Sequence, residues 1–172
     1  AQAQEEFPQH YPRPGWVEQD ASEILANIRS CIAAAGPLDA LGLANQGESC
    51  LAWDAATGEP LSPIIVWQDS RTAPTLAGFS PQTAARVAAL SSLPLDAYFS
   101  ASKLGWIVGT VPAAADSLRQ GRLRLGTTDA FYLDRLGGSF ATDRATASRT
   151  SLMNVATGEW DVKKMANVEE LP

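Results

Sequence analysis

Histidine and cysteine are nearly absent from this sequence. His10 is the only histidine, Cys31 and Cys50 are the only cysteines, and their placement supplies neither a metal-ligand set nor a disulfide framework. Two such cysteines read as small buried hydrophobes in a reducing compartment, and His10, between Pro8 and Pro12, reads as a solvated loop residue, poorly placed to act as a base. Long apolar runs are missing too. No stretch reaches the ~18 consecutive apolar residues a membrane span requires, and the opening Ala1-Gln2-Ala3-Gln4-Glu5-Glu6 has no basic or apolar signal region. Charge of one sign is scarce: 13 Lys and Arg stand against 19 Asp and Glu, a net of −6 with no long like-charged run. That pattern lacks the electrostatic footprint for a phosphate backbone, so nucleic acid is not an expected partner. Phosphate loops of the GxxxxGK[ST] or GxGxxG kind and the GxSxG elbow are absent as well. These absences predict a soluble, cytoplasmic protein with no metal site of its own.

What is present suits one domain. A chain of 172 residues with 45% hydrophobic content buries roughly 70% of its unfolded surface, enough for a single core. It starts without Met in a strand-like pattern and stops at Leu171-Pro172 after a helical one, so residues 1–172 read as one domain incomplete at both ends. Asp20 with Glu23 predicts a capped helix start, with Ile24, Leu25, Ile28, Cys31 and Ile32 on one face and Gly36-Pro37 as the stop. Leu38 to Ala44, almost wholly apolar, predicts a strand buried on both faces. Ser49–Asp54 and Leu61–Gln68 predict a hairpin about the turn at Ala55–Pro60. Short helices are expected within 71–90, over 100–108 and over 113–119. A strand at 123–125 and a helix from Thr127 or Thr128 to Leu136, closed by Gly137-Gly138, complete the pattern. Buried strands with intervening helices predict an α/β layered fold. The turn Ala56-Thr57-Gly58-Glu59 recurs at Ala156-Thr157-Gly158-Glu159, but the flanks differ and no repeat follows.

The loop Asn45-Gln46-Gly47-Glu48 follows the expected buried strand, and open α/β sheets place ligands at such ends. Its amides and carboxylate can hydrogen-bond a hydroxylated molecule; a solvated turn is the plainer alternative. Trp67 can wall a pocket or fill the core, and Tyr98 is ambiguous in the same way. A carboxylate, an amide and two flat rings are the equipment for a polyol: acceptors for its hydroxyl protons, apolar faces for its carbon side.

Six blocks carry a family resemblance: Phe7 to Asp20 (FPQHYPRPGWVEQD), Asn45-Gln46-Gly47-Glu48, Ile65 to Thr72 (IVWQDSRT), Tyr98 to Leu104 (YFSASKL), Gly126-Thr127-Thr128-Asp129 and Ala147-Ser148-Arg149-Thr150. In order and spacing they resemble the N-terminal domain of the FGGY carbohydrate kinases, the glycerol kinases above all. The resemblance implies a ribonuclease H-like domain of the actin, hexokinase and sugar-kinase superfamily, a mixed sheet with flanking helices. It implies ATP-dependent phosphorylation of a polyol or sugar hydroxyl, with ATP and Mg²⁺ as cofactors, a small molecule as partner, and a homo-oligomer left open. By motif, the acceptor site would comprise Gln46, Gly47, Glu48, Trp67 and Tyr98. Gly47 stands where the family pattern has an Arg, which removes a side-chain donor, leaves volume, and suggests a changed acceptor: a larger polyol or sugar, or one whose hydroxyls are satisfied from elsewhere, with glycerol less expected. The family's phosphate loop would lie before Ala1 and its catalytic Asp beyond Pro172, so no catalytic residue is expected in this chain, which alone should be inactive. A non-catalytic sugar-binding or regulatory module is the competing expectation.

Overall fold

In the computed structural model, which describes residues 2–161, the chain enters through a short strand β1 (Glu18–Gln19). Asp20 then caps helix α1 (Ala21–Ala35), its carboxylate accepting from the N–H groups of Ser22 and Glu23 at 2.8 and 3.0 Å. Those are two of the donors that a helix start leaves without partners. The helix buries Ala21, Ile24 and Leu25 and ends at Gly36, whose φ of 80° explains the glycine. Strands β2 (Cys50–Asp54) and β3 (Ile64–Ile65) follow, then helices α2 (Ala73–Leu76), α3 (Pro81–Ser91), α4 (Ser100–Thr110) and α5 (Pro112–Arg119). Strand β4 (Leu123–Thr127) runs directly into α6 (Thr128–Gly137), and α7 (Arg144–Ser148) precedes a small hairpin of β5 (Met153–Asn154) and β6 (Glu159–Trp160).

The main sheet has the order β1-β3-β2-β4, with antiparallel neighbours throughout. Every residue of β2 is buried, because alternate side chains enter two cores. Leu51 and Trp53 join Ile24 and Leu25 of α1 and Phe131 of α6 on one face. Cys50 and Ala52 meet Leu104 and Ile107 of α4 and Ala114 of α5 on the other. The result is a helix–sheet–helix sandwich in which each large buried side chain contributes about 1.5–3 kcal/mol. The one polar atom of Trp53 is satisfied: its indole N–H donates to Asp134 at 2.8 Å, and Arg124 reaches the same carboxylate at 2.5 Å. Burial opposes ionisation of Asp134, but these two donors outweigh it and hold the carboxyl below its usual range.

The Leu38–Ala44 segment is not a buried strand. It is irregular, and Leu38, Leu41 and Leu43 are 49%, 55% and 38% exposed. A strand needs a neighbour to take its backbone hydrogen bonds, and among the described residues no strand pairs with this one; the doubly buried strand is β2 instead. The strand-like start is likewise irregular and exposed; its β pairing is one bridge, where His10 and Glu18 exchange N–H···O bonds at 2.8 and 2.9 Å, and Asn27 and Ser30 of α1 donate to Glu6 and Glu5. The helical pattern before Leu171-Pro172 lies outside the described residues. The hairpin of β2 and β3 forms as expected, with Leu61 N–H donating to the Ala52 carbonyl at 2.8 Å. Both copies of the recurrent turn use one device: an Asp54 or Asn154 side-chain oxygen accepts from the N–H two residues on, and Gly58 or Gly158 takes a positive φ.

Candidate acceptor site

Glu48 closes a tight turn at the entry to β2, where Ser49 N–H donates to the Gln46 carbonyl at 3.0 Å. Two buried side chains fasten this turn to its surroundings, and a third fixes the segments beside it. The Ser49 hydroxyl donates to Gln46 Oε1 at 2.9 Å and accepts from Trp67 N–H at 3.1 Å, so one oxygen joins the turn to the segment after β3. Ser100, at the start of α4, donates its hydroxyl to the Glu48 carbonyl at 3.0 Å. Lys103, one turn further along α4 and wholly buried, donates its ammonium to the carbonyls of Trp67 at 3.2 Å and Tyr98 at 2.8 Å. Burial pulls the Lys103 pKa below its ordinary value, against the opposing charges of Asp69 and Glu48. One buried cation thus sets the backbone positions of both aromatic residues.

The rings meet as a consequence. Trp67 and Tyr98 pack with centroids 5.3 Å apart at 54°, both half-buried. Arg149, at the C-terminal end of α7, completes the group: its Nε donates to Glu48 Oε1 at 2.6 Å, and its guanidinium lies 5.8 Å from the Tyr98 ring centroid and 5.1 Å from that of Phe99. Glu48, Trp67 and Tyr98 therefore belong to one cluster, with Arg149 joining the carboxylate to Tyr98. Gly47 adjoins it, since a Cβ there would lie 3.7 Å from Arg149 Cγ. Gln46 is exposed, with its side-chain oxygen engaged by Ser49. Asn45 points elsewhere and donates to Thr128 and Asp129 at 3.2 and 3.1 Å, pinning the start of α6.

Lys103 and Arg149 were not singled out by the residue-level reading. Both sit inside the family-like blocks, so the signal was present, but Lys103 matters by joining nearby Tyr98 to Trp67, 36 residues away, and Arg149 meets Glu48 across 101 residues. A cavity of about 860 Å³ lies elsewhere, lined by apolar side chains including Phe79, Val87, Phe99, Val108, Phe140 and Trp160, and by none of the five expected site residues.

Residues 1–171 match the model of the FGGY family of carbohydrate kinases, N-terminal domain. The chain belongs to that family. This FGGY domain is 45% identical over 172 residues to the glycerol kinase of Ectopseudomonas mendocina, the match covering 94% of the chain and 35% of that protein. With the glycerol kinase of Deinococcus radiodurans it shares 43% over 168 residues, covering 92% and 34%. Among solved structures, Plasmodium falciparum glycerol kinase with ADP superposes with a TM-score of 0.83 at 27% identity, covering 96% of this chain and 36% of that one. The FGGY domain thus spans about a third of the length of these relatives. Its mixed α/β fold is the family's. Among the described residues no three His, Cys, Asp or Glu side chains converge as a metal cage, and the sequence has no GxxxxGK[ST] or GxGxxG loop. No helix among them is long and apolar enough to cross a membrane.

Proposed function

We propose that the protein containing this chain transfers the terminal phosphoryl group of ATP to a hydroxyl of a polyol or sugar, and that residues 1–172 are its acceptor-binding part. The observation that carries this reading is the cluster of Glu48, Trp67 and Tyr98. A carboxylate accepts hydroxyl protons, a phenol adds a donor and acceptor, and an indole face covers C–H groups. Held by Lys103, Ser49 and Ser100, they form a pre-positioned seat whose contribution to rate is orientation of the attacking hydroxyl. ATP, Mg²⁺ and the proton-accepting base belong in this proposal to the rest of the protein, as phosphoryl transfer in this family requires; a cytoplasmic location and a small-molecule partner complete it.

The test is ADP release by the full-length gene product with glycerol, erythritol, ribitol and a ketopentose. Acceptor-dependent ADP is expected from at least one. Saturable binding of an acceptor without ADP would favour a non-catalytic sugar-binding module, and neither binding nor turnover overturns the acceptor-site reading.

A further inference from the structure

The geometry points to Arg149 as a specificity-determining residue: we propose that it supplies the cationic donor which, beside Glu48, clasps two neighbouring hydroxyls of the acceptor. This rests on the acceptor-site reading above. Gly47 has no side chain, so position 47 provides no side-chain donor. The stem of Arg149 lies over it instead, at 3.7 and 3.9 Å from where a Cβ would sit. From there Nε reaches Glu48 Oε1 at 2.6 Å, which fixes the carboxylate and turns the guanidinium edge alongside it. The Glu48 side chain is 11% exposed and that of Arg149 40%, so the carboxylate is held in the wall while the cation borders solvent. A fixed acceptor and a fixed donor side by side match a vicinal diol: one hydroxyl donates to Glu48, and its neighbour's oxygen accepts from the guanidinium.

This changes the expected acceptor. Glycine at position 47 by itself suggests a lost donor and a larger substrate. With Arg149 over that glycine, the donor is restored from another element and the volume is covered, so short polyols, glycerol included, remain within the class. The pairing is also distinguishable from a structural salt bridge, because a partly exposed ion pair contributes little to stability.

The experiment measures acceptor and ATP kinetics of the full-length gene product and its Arg149→Ala, Arg149→Lys and Gly47→Arg/Arg149→Ala variants, with glycerol, erythritol and ribitol as acceptors. Loss of a charge-assisted hydrogen bond should raise the acceptor KM about 10- to 100-fold in Arg149→Ala, while the ATP KM stays within about twofold. Lysine keeps the charge without the planar fork and should recover part of the loss; the double variant, with its guanidinium returned from position 47, should recover more. Should Arg149→Ala not fold, Arg149→Lys decides, by whether its acceptor KM rises with the ATP KM unchanged. An active parent whose acceptor KM is unmoved in the variants overturns the role of Arg149 and leaves the acceptor site standing. A parent that neither phosphorylates nor binds any of the three polyols or the ketopentose overturns both.

Discussion

Arg71 and Arg149 each pair with a carboxylate beside aromatic rings, and the two groups differ in one respect that separates scaffold from site. Around Arg71 the group is sealed. Its side chain is 1% exposed, its guanidinium pairs with Asp69 and Glu18 at 2.7 and 2.8 Å, and it lies over the Trp16 and Trp106 rings, 3.8 and 4.6 Å from their centroids, where those rings meet edge to face. Asp69 also accepts from the backbone N–H groups of Val17 and Arg71 at 2.6 and 2.9 Å, so its oxygens are fully engaged. Around Arg149 the same chemistry lies open at its edge: Nε bonds Glu48, the guanidinium also interacts with the Tyr98 side chain, and 40% of the arginine side chain is exposed. A carboxylate that the fold has saturated offers nothing to a ligand. One that is gripped on one oxygen and faces two half-buried rings still has capacity for an incoming hydroxyl.

The contrast can be broken most severely from the sealed side. Asp69→Ala leaves the buried Arg71 cation with Glu18 alone and removes acceptors from two backbone N–H groups, and should cost about 3–5 kcal/mol in denaturant unfolding; a loss below 1 kcal/mol would mean the cluster is not sealed in solution. Lys103→Met comes next. It keeps the stem but withdraws the donor from the Trp67 and Tyr98 carbonyls, with an expected loss of about 1–3 kcal/mol and a rise in acceptor KM without change in ATP KM, because the rings lose their common anchor. Trp67→Ala should move stability least of the three and still raise the acceptor KM about tenfold or more, since its ring is half-buried beside Tyr98 and outside both sheet cores. Unchanged acceptor affinity in that variant, with a lowered melting temperature, would place Trp67 with the scaffold.

Local chemistry made much of the fold legible. Asp20 and Gly36 bound α1 because caps act within a few residues, and Gly138, with φ of 72°, ends α6 for the same reason. The hairpin of β2 and β3 follows from two apolar runs about a Gly-Pro turn. Leu38–Ala44 was misread because an apolar run states only that burial would be favourable. Whether a strand forms depends on a neighbour, and composition carries no information about one. The site shows the same division. Glu48, Trp67 and Tyr98 were legible as residue types in family-like blocks, whereas Arg149 became part of the group only when α7 was brought against the turn at Gly47.

By itself the sequence determined the family, the caps and turns that bound the elements, and the residue types suited to a hydroxylated ligand, because each depends on side-chain chemistry read over short spans. Tertiary structure decided which apolar run is the doubly buried strand, that a buried Lys103 holds both rings, and that Gly47 leaves Glu48 to an arginine from α7. Those outcomes depend on contacts between segments distant in the chain, where a donor and its acceptor meet only after the sheet and helices have packed.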